Sequence, residues 1–409
     1  MEHFVIIGNG IAALSAAEAI RRIDGETPVT MVSEEPYHTY YRTQLSHLLG
    51  EDPIAENLLV HKPEWYIEKN IKVLLNHRVT GIDFAQQNIT LDDGIVLEYS
   101  KLLLAMGSYP FIPSIVGTNL NGVFTIRTLN DTKKIYDYIK DKKTGAIIGG
   151  GVLGLEAAWA LANKGKKIYV IENSAYIMVK QLDKNAAEII QSMGEKAGIS
   201  FIVSAQLKKI NGEQSVSSID INGSSAIPVD FVIFSTGVRS NVALLKDSPI
   251  NANRGIVVDQ HMKTNIENVY AAGDVAEYNG YSYGIWPVAR EQGKVAGTNM
   301  AGEEILYSEI VPSNYVKVFG VDIFSAGDLC NDGSYQFAVE DTDKSKSIYK
   351  KVFFKNNMPV GAILVGDTKE ANNISKAIKE KITMDDDFIK NPTFVSFIES
   401  INKIRKERP

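Results

Sequence analysis

An α/β fold is predicted by three features of this sequence of 409 residues. Residues 3–23 and residues 144–164 share one pattern: a short apolar run, a glycine-rich turn and a run with helical spacing of its apolar residues. Beyond residue 305 glycines become fewer, and short strands in a meander lead into closing helices. We therefore expect two similar α/β domains and an α+β C-terminal domain.

The composition is that of an ordinary globular protein, with 44% hydrophobic and 22% charged residues. A net charge of −6 argues against general nucleic-acid binding, which needs a basic surface. No run approaches the roughly 18 apolar residues of a membrane span, and no leader pattern precedes the first strand, so we expect a cytoplasmic protein without a membrane partner. The single cysteine, Cys330, cannot form an internal disulfide, an Fe–S cluster or a structural zinc site. Redox chemistry would therefore require a bound organic cofactor.

The first glycine-rich turn, GNGIAA, has the pattern of a dinucleotide phosphate site. Gly8 permits the tight bend, Gly10 lets backbone approach a pyrophosphate, and the small Ala13 lets helix and strand pack closely. The unpaired N–H groups at the helix N-terminus would hold the phosphate charge. Glu35, after the next strand, can hydrogen-bond a ribose hydroxyl. The alternative is a turn with a purely connecting role.

The second turn repeats the pattern with Gly149, Gly151 and Gly154, and Glu172 ends the following strand. Two such sites predict two Rossmann-like dinucleotide-binding domains. An acid at Glu172 with no arginine nearby suits a free ribose 2′-hydroxyl and repels a 2′-phosphate, so we expect NADH rather than NADPH. Lys180 is the nearest later cation, and a solvated surface position explains it equally well.

Further apolar strands place the domain boundaries. Pro110 and Pro113 mark the crossing between the two units. The stretch 229–241 predicts a buried strand followed by Gly237, another strand turns at Gly273, and a helix begins near Trp286. We expect residues 1–112 and 242–304 to form the first domain, residues 113–241 the second and residues 305–409 the third.

Five motifs in this order and spacing resemble the FAD-dependent pyridine nucleotide-disulfide oxidoreductases: GNGIAA, LLLAMGS, IGGGVLGLE, FSTGVRSN and YAAGDVAE. The resemblance spans residues 3–365. It implies an FAD domain interrupted by an NAD domain, a C-terminal interface domain, and FAD and NADH as cofactors. The stretch EEPYHTYYRTQLSHLL looks like the branch with rubredoxin reductases, bacterial ferredoxin reductases and the flavin portion of nitrite reductases.

The resemblance assigns the adenosine half of FAD to the first turn with Glu35, and the adenine to the backbone of Val79. It implies that Arg42 lies against the pyrophosphate or the flavin ring; an ordinary surface salt bridge is the alternative. Asp274 would bond the ribityl hydroxyls. Three further residues would line the cofactors, namely Ala105, Gly107 and Gly237.

The helix that follows Trp286 would direct its positive end toward the flavin C2 carbonyl. A positive dipole at that point would stabilise the anionic reduced ring. The resemblance leaves Trp286 itself as either a flavin contact or a core residue.

Disulfide reductases of this superfamily carry two cysteines on the helix after the second strand, and other relatives keep one cysteine directly after a serine. The corresponding serine here is Ser46 and the next residue is His47, so thiol chemistry is not expected. Cys330 is then a small buried hydrophobe. Ferredoxin-reductase relatives pair a lysine at this position with a glutamate beside flavin N5. The resemblance thus implies that His47 and Glu156 meet beside the flavin, unless His47 is a solvated surface histidine.

The implied activity is hydride transfer from NADH to FAD, followed by single-electron transfer to rubredoxin or a similar small iron-containing carrier. The alternatives are an NADH oxidase that makes peroxide, a flavin component for nitrite reduction, and a non-enzymatic NADH-responsive sensor. A basic patch for an acidic carrier would have to be local, among Lys350, Lys351 and Lys355. A solvated hairpin face is the more usual role of such lysines and is the alternative that we favour.

Overall fold

The framework of the chain is two five-stranded parallel sheets and one five-stranded antiparallel sheet, seen in a computed structural model that describes residues 2–222, 226–308 and 310–407. The predicted α/β class with an α+β C-terminal part is therefore confirmed. Within the described ranges, no helix combines the length and apolar character needed to cross a bilayer.

Numbered in chain order, the helices are α1 (Ile11–Ile23), α2 (Pro63–Glu68), α3 (Leu129–Ile139), α4 (Val152–Ala162), α5 (Lys184–Lys196), α6 (Trp286–Met300), α7 (Ala371–Lys379), α8 (Asp386–Lys390) and α9 (Phe394–Glu407). Short 3-10 turns cover Arg42–Gln44, Ala55–Leu58, Ala243–Leu245 and Lys344–Lys346.

The strands are β1 (Phe4–Ile7), β2 (Val29–Val32), β3 (Ile71–Leu74), β4 (Val79–Asp83), β5 (Asn88–Leu91), β6 (Val96–Glu98), β7 (Lys101–Leu104), β8 (Ser108–Pro110), β9 (Val123–Thr125), β10 (Thr144–Ile148), β11 (Lys167–Ile171), β12 (Ile199–Ile202), β13 (Leu207–Asn211), β14 (Ser218–Ile221), β15 (Ile227–Pro228), β16 (Phe231–Phe234), β17 (Val238–Ser240), β18 (Ile256–Val257), β19 (Val269–Ala271), β20 (Ala276–Glu277), β21 (Ser313–Val318), β22 (Val321–Gly327), β23 (Phe337–Asp343), β24 (Ile348–Lys355) and β25 (Met358–Val365).

The first parallel sheet has the strand order β19-β7-β1-β2-β3. Its central strand β1 places Ile7 opposite Val32 of β2 and opposite Leu104 of β7. Both faces of β1 and β2 are buried, which explains apolar runs without alternation. Because α1 begins four residues after β1, its N-terminus lies at the carboxyl edge of this sheet.

The second parallel sheet has the order β12-β11-β10-β16-β9 and repeats that arrangement. Its central strand β10 pairs with β11 and β16, and α4 begins four residues after β10. The antiparallel pair of β8 and β17 joins the two sheets, since β8 follows the first sheet and β17 follows the second. The carboxyl edges of both sheets therefore contribute to one site.

Helices α1 and α6 cross at very short distance because α6 has glycines at the contact. A Cβ on Gly293 would lie 2.1 Å from the carbonyl oxygen of Ala12, and one on Gly297 would lie 2.2 Å from that of Ala16. This packing fixes where the N-terminus of α6 stands relative to the first glycine-rich turn.

The antiparallel sheet β21-β22-β25-β24-β23 carries helices α7 to α9 on one face and packs its other face against helices α4 and α5, which cover the second parallel sheet. We call this second contact the shared core. It joins buried residues of α4 and α5 to Phe319, Tyr349 and Phe353, and it includes Leu49 from the loop after β2. The second and third parts of the chain thus share one apolar interior.

Candidate functional site

A cavity of about 2350 Å³ opens between the two parallel sheets and is lined by both glycine-rich turns and by residues of β21. Single-ligand pockets usually measure about 300–1,000 Å³. The cavity is therefore large enough for two dinucleotide ligands that meet inside it.

The first turn has the conformation that its sequence predicts. Gly8 has a positive φ of 120°, and a Cβ there would stand 2.2 Å from the carbonyl oxygen of Ala105. Gly10 has nothing within 4 Å of the position a Cβ would take, so its backbone is open to the cavity. Ala13 is fully buried inside the unit. The backbone of Ala105, directly after β7, therefore leaves no room for a side chain at Gly8, whereas there is free space beside Gly10.

The second turn reproduces the same division of roles. A Cβ on Gly149, whose φ is 112°, would stand 2.3 Å from the carbonyl oxygen of Ser235. A Cβ on Gly154 would stand 2.1 Å from the carbonyl oxygen of Gly149, while Gly151 has nothing within 4 Å. Both turns thus have one glycine facing open space at a helix N-terminus, the arrangement that binds phosphate.

Glu172 is held at the second turn by backbone. Its carboxylate accepts hydrogen bonds from the N–H of Gly150 and the N–H of Ser174, both at 2.7 Å. The anion therefore stands beside the turn, where it can accept further bonds from a ribose hydroxyl. Lys180 is exposed and lines the same cavity.

Glu35 is engaged within the protein. Tyr40 Oη donates to one carboxylate oxygen at 2.7 Å, and the Arg42 guanidinium pairs with the other. Arg42 also donates to Tyr40 Oη and to the carbonyl of Arg127, both at 2.9 Å. Glu34 is exposed and also lines the cavity. Two neighbouring acids follow β2, and their spacing alone could not show which of them is internally paired.

Asp274 lies where the two sheets meet. Its Oδ2 accepts hydrogen bonds from Ser108 Oγ at 2.7 Å and from the Arg127 guanidinium at 3.0 Å. Its backbone carbonyl accepts from Ser240 Oγ at 2.7 Å. Sequence reasoning missed Arg127, because it stands between β9 and α3 and belongs to no recognised motif. The one available signal was its position directly before Thr128, the N-cap of α3.

The remaining predicted contacts lie in the same cavity wall, namely Val79, Ala105, Gly107 and Gly237. Gly107 and Gly237 both have positive φ and stand beside the β8–β17 crossing. Trp286 begins α6 at the cavity and stacks on Tyr41 with ring centroids 5.7 Å apart. It is only partly buried, so it forms part of the wall.

His47 and Glu156 come together across the two sheets. His47 Nε2 is 3.5 Å from Glu156 Oε1, and Ser46 Oγ donates to Glu156 Oε2 at 2.6 Å. The Glu156 side chain is 7% exposed and that of His47 is 44% exposed. Sequence reasoning used Ser46 only as a marker of position, whereas the structure makes it a hydrogen-bond donor to the buried carboxylate.

The bond to Glu156 raises the pKa of His47 above its ordinary value of 6.5, against a smaller opposing effect of burial. The protonated ring therefore stabilises the fold fully below pH 6.5, and this contribution disappears as pH rises through the raised pKa. Titration of the ring carbon resonance by NMR, assigned with His47→Gln, should give a pKa above 6.5. In Glu156→Gln the carboxylate charge is lost, so the pKa of His47 should fall; an unchanged value would show that Glu156 does not hold the proton.

Cys330 lies away from the cavity, buried in the shared core. Burial raises the pKa of its thiol, which keeps it protonated and unreactive. Among the described residues that line the cavity there is therefore no thiol.

Both interpretations of the β24 lysines, a basic patch and a solvated hairpin face, are wrong for Lys350 and Lys351. Each is only 14% exposed, and each has a carboxylate partner: Asp367 at 2.8 Å for Lys350 and Asp183 at 3.0 Å for Lys351. Lys355 is more exposed but pairs with Asp328 at 2.8 Å. The three aspartate partners are distant in sequence or lie on other elements, so the sequence around the lysines could not reveal these ion pairs.

Comparison with known proteins gives two family matches. The family described as pyridine nucleotide-disulphide oxidoreductase matches residues 2–293. The family described as rubredoxin NAD+ reductase C-terminal domain matches residues 312–382.

Individual relatives agree with these matches. A nitrite reductase [NAD(P)H] of Bacillus subtilis (strain 168) is 36% identical over 93% of this chain and 47% of its own length, so the chain spans about half of that relative. An NADH-rubredoxin oxidoreductase of Clostridium acetobutylicum is 33% identical over 93% of this chain and 95% of its own length. A crystal structure of NADH:rubredoxin oxidoreductase from the same species has a TM-score of 0.81 at 30% identity and covers 97% of this chain and 99% of that one.

Proposed function

Because this chain belongs to the pyridine nucleotide-disulphide oxidoreductase family, whose members use FAD and NAD(H), we propose that it oxidises NADH through bound FAD and passes the electrons to a small iron-containing carrier, in the first place rubredoxin. The cavity volume and the two open glycine turns support a site for two dinucleotides. The relatives' names support the direction of electron flow.

The residues of the first sheet fit FAD. The N–H groups at the start of α1 would hold the pyrophosphate against Gly10, and Glu34 would supply a carboxylate for the ribose, while Glu35 holds Tyr40 and Arg42 at the cavity wall. Val79 would face the adenine. Asp274 would accept bonds from the ribityl chain, while Arg42 and Arg127 supply positive charge beside the phosphates.

The residues of the second sheet fit NADH. The start of α4 with Gly151 would hold its pyrophosphate, and Glu172 would accept from the adenosine ribose. A 2′-phosphate would stand against the Glu172 carboxylate, so we propose a preference for NADH over NADPH.

When bound, FAD takes up two electrons as a hydride and releases them one at a time. The protein binds and orients the two ligands, which is the larger part of catalysis when the cofactor supplies the reactive group. The N-terminus of α6 adds a positive dipole at the cavity wall. His47 places Nε2 3.5 Å from Glu156 Oε1, so the site has an imidazole that can hold a proton against this carboxylate where thiol-dependent relatives have a nucleophile.

The absence of a thiol from the described cavity wall is the observation that carries this function. The one cysteine of the chain is buried in the shared core, so no described residue of the cavity wall offers a thiol as an intermediate electron acceptor. The residues present would therefore hold a flavin that supplies electrons to an external acceptor without a protein thiol between them.

An acceptor comparison tests the proposal. FAD-loaded protein is mixed with NADH and oxidised rubredoxin, and rubredoxin bleaching is followed together with oxygen consumption. Bleaching should be much faster than oxygen uptake. Gly151→Ala serves as the control, because the space beside Gly151 is open and the variant should fold, retain FAD and lose NADH-driven bleaching. Oxygen uptake equal to bleaching would make the protein an NADH oxidase, and very slow flavin reduction would favour an NADH-responsive sensor.

A second candidate is electron supply to nitrite reduction, which is favoured by the 36% identity to half of a nitrite reductase. One cysteine cannot ligate an Fe–S cluster, so the nitrite-reducing centre would belong to a separate polypeptide or domain. Faster flavin reoxidation by such a centre than by rubredoxin would decide in its favour.

The four-part division is also a proposal: FAD-binding residues 1–112 and 242–304, NAD-binding residues 113–241 and C-terminal residues 305–409. Its support is that β19 returns to the first sheet after β16 has completed the second. We further propose a cytoplasmic location, where NADH is available, and cell fractionation tests it.

A further inference from the structure

The segment from residue 172 to residue 183 forms the outer wall of the second nucleotide turn, and we call it the nucleotide segment. It begins at Glu172 and reaches α5, whose N-cap is Asp183. Met178, with a positive φ, donates its N–H to the carbonyl of Gly150 at 2.9 Å. Several of its residues line the cavity, so its position determines the shape of this part of the site.

Asp183 joins the end of this segment to the C-terminal sheet. One carboxylate oxygen accepts the N–H of Ala186 at 3.0 Å, which caps α5. The other accepts Tyr349 Oη at 2.6 Å and Lys351 Nζ at 3.0 Å. Tyr349 is fully buried and the charged pair is largely buried, so water screens the interaction little. Glu340 stands 3.7 Å from the same Lys351 ammonium as a more exposed second partner.

A second bond fixes the middle of the segment. Asn331 Nδ2, from the loop after β22, donates to the carbonyl of Val179 at 2.9 Å. Val179 lines the cavity. The C-terminal sheet thus holds the nucleotide segment at two points, four residues apart in sequence, while Gly150 holds it from the inside.

We propose that Lys351, Tyr349 and Asn331 are positioning residues through which the C-terminal domain sets the affinity for NADH. The proposal rests on the proposed function, because it takes the second glycine turn as the NADH site. None of the three side chains lines the cavity. They act by holding the segment that continues from Glu172.

Lys350 provides a matched control on the same strand. It follows Tyr349 directly, has the same 14% exposure as Lys351, and forms an ion pair of similar length with Asp367 of its own domain. Loss of either pair removes one largely buried salt bridge from β24. Only loss of the Lys351 pair removes a bond to the nucleotide segment.

The experiment compares FAD-loaded wild type, Lys351→Met, Tyr349→Phe and Lys350→Met. NAD+ is titrated by calorimetry, which avoids turnover, and thermal unfolding and steady-state kinetics are measured on the same samples. Lys351→Met and Tyr349→Phe should raise Kd and KM by about fivefold or more, with kcat nearly unchanged. Lys350→Met should change Kd by less than about twofold at a similar cost in Tm.

Asp183→Asn keeps an N-cap side chain but removes the charge, so it should raise Kd like Lys351→Met. The double variant should be no worse than either single variant, because both remove the same interaction. Equal Kd values for Lys351→Met and Lys350→Met would overturn the inference. Failure of wild type to bind NAD+ or NADH would instead overturn the proposed function.

Discussion

Gly10→Ala should fold normally without ligand and yet lose FAD. Gly10 has an ordinary φ of −90°, and nothing lies within 4 Å of the position of the new Cβ, so the apoprotein has no reason to lose stability. A pyrophosphate seated against this backbone would meet the added methyl group. Overpacking of this kind costs about 1–3 kcal/mol, or about 5- to 150-fold in Kd. Flavin absorbance after dialysis and FAD titration of the apoprotein measure the loss.

Gly8→Ala is the comparison for this variant. There φ is 120° and the new Cβ would stand 2.2 Å from the carbonyl oxygen of Ala105, so the apoprotein itself should be destabilised by about 1–3 kcal/mol or more. The apo Tm should therefore fall for Gly8→Ala and stay constant for Gly10→Ala. Wild-type FAD affinity in Gly10→Ala would show that the cofactor phosphates bind elsewhere.

Gly293→Val should destabilise the first domain more than any surface change in the same helix. The valine Cβ would stand 2.1 Å from the carbonyl oxygen of Ala12, and α1 and α6 would have to separate. We expect a loss of about 3 kcal/mol and a Tm lower by about 6–12 °C. Since α6 starts at the cavity wall, FAD loading should fall in parallel, and flavin content is measured on the same material.

Lys294→Val is the control for this helix. It places the same β-branched residue one position later, on the exposed face of α6, and removes only a weak ion pair with Glu291. Its Tm should stay close to that of wild type. Equal losses for the two variants would assign the effect to helix propensity and not to the contact between α1 and α6.

The glycine turns could be predicted from sequence because their chemistry is local. Each turn needs a positive φ at its first glycine and open backbone at its second, and both requirements depend on residues within one strand, turn and helix. The lack of a thiol after Ser46 could also be predicted. Relatives with thiol chemistry have a cysteine at this position, and the sequence shows directly that this chain has His47 there. The contact between His47 and Glu156 could be predicted only from the family resemblance, since 109 positions separate the two residues in the sequence.

Pairings between distant elements could not be predicted. Glu34 and Glu35 both line the cavity, but Tyr40 and Arg42 bind the Glu35 carboxylate, and the spacing of the acids does not report this. The lysines of β24 looked like a patch because they are adjacent in sequence, but consecutive positions of a strand point to opposite faces. Lys350 and Lys351 are in fact separated by the sheet, and each finds its own carboxylate.

Leu49 restricts how the two halves of the protein can move. It lies two residues after His47 and is fully buried in the shared core of the second and third sheets, although the preceding chain belongs to the first sheet. A hinge rotation that opened the cavity would pull this side chain into water at a cost of about 1.5–3 kcal/mol. Leu49 therefore opposes any motion that would change the spacing between the first and second glycine-rich turns, so the two turns should behave as one rigid site.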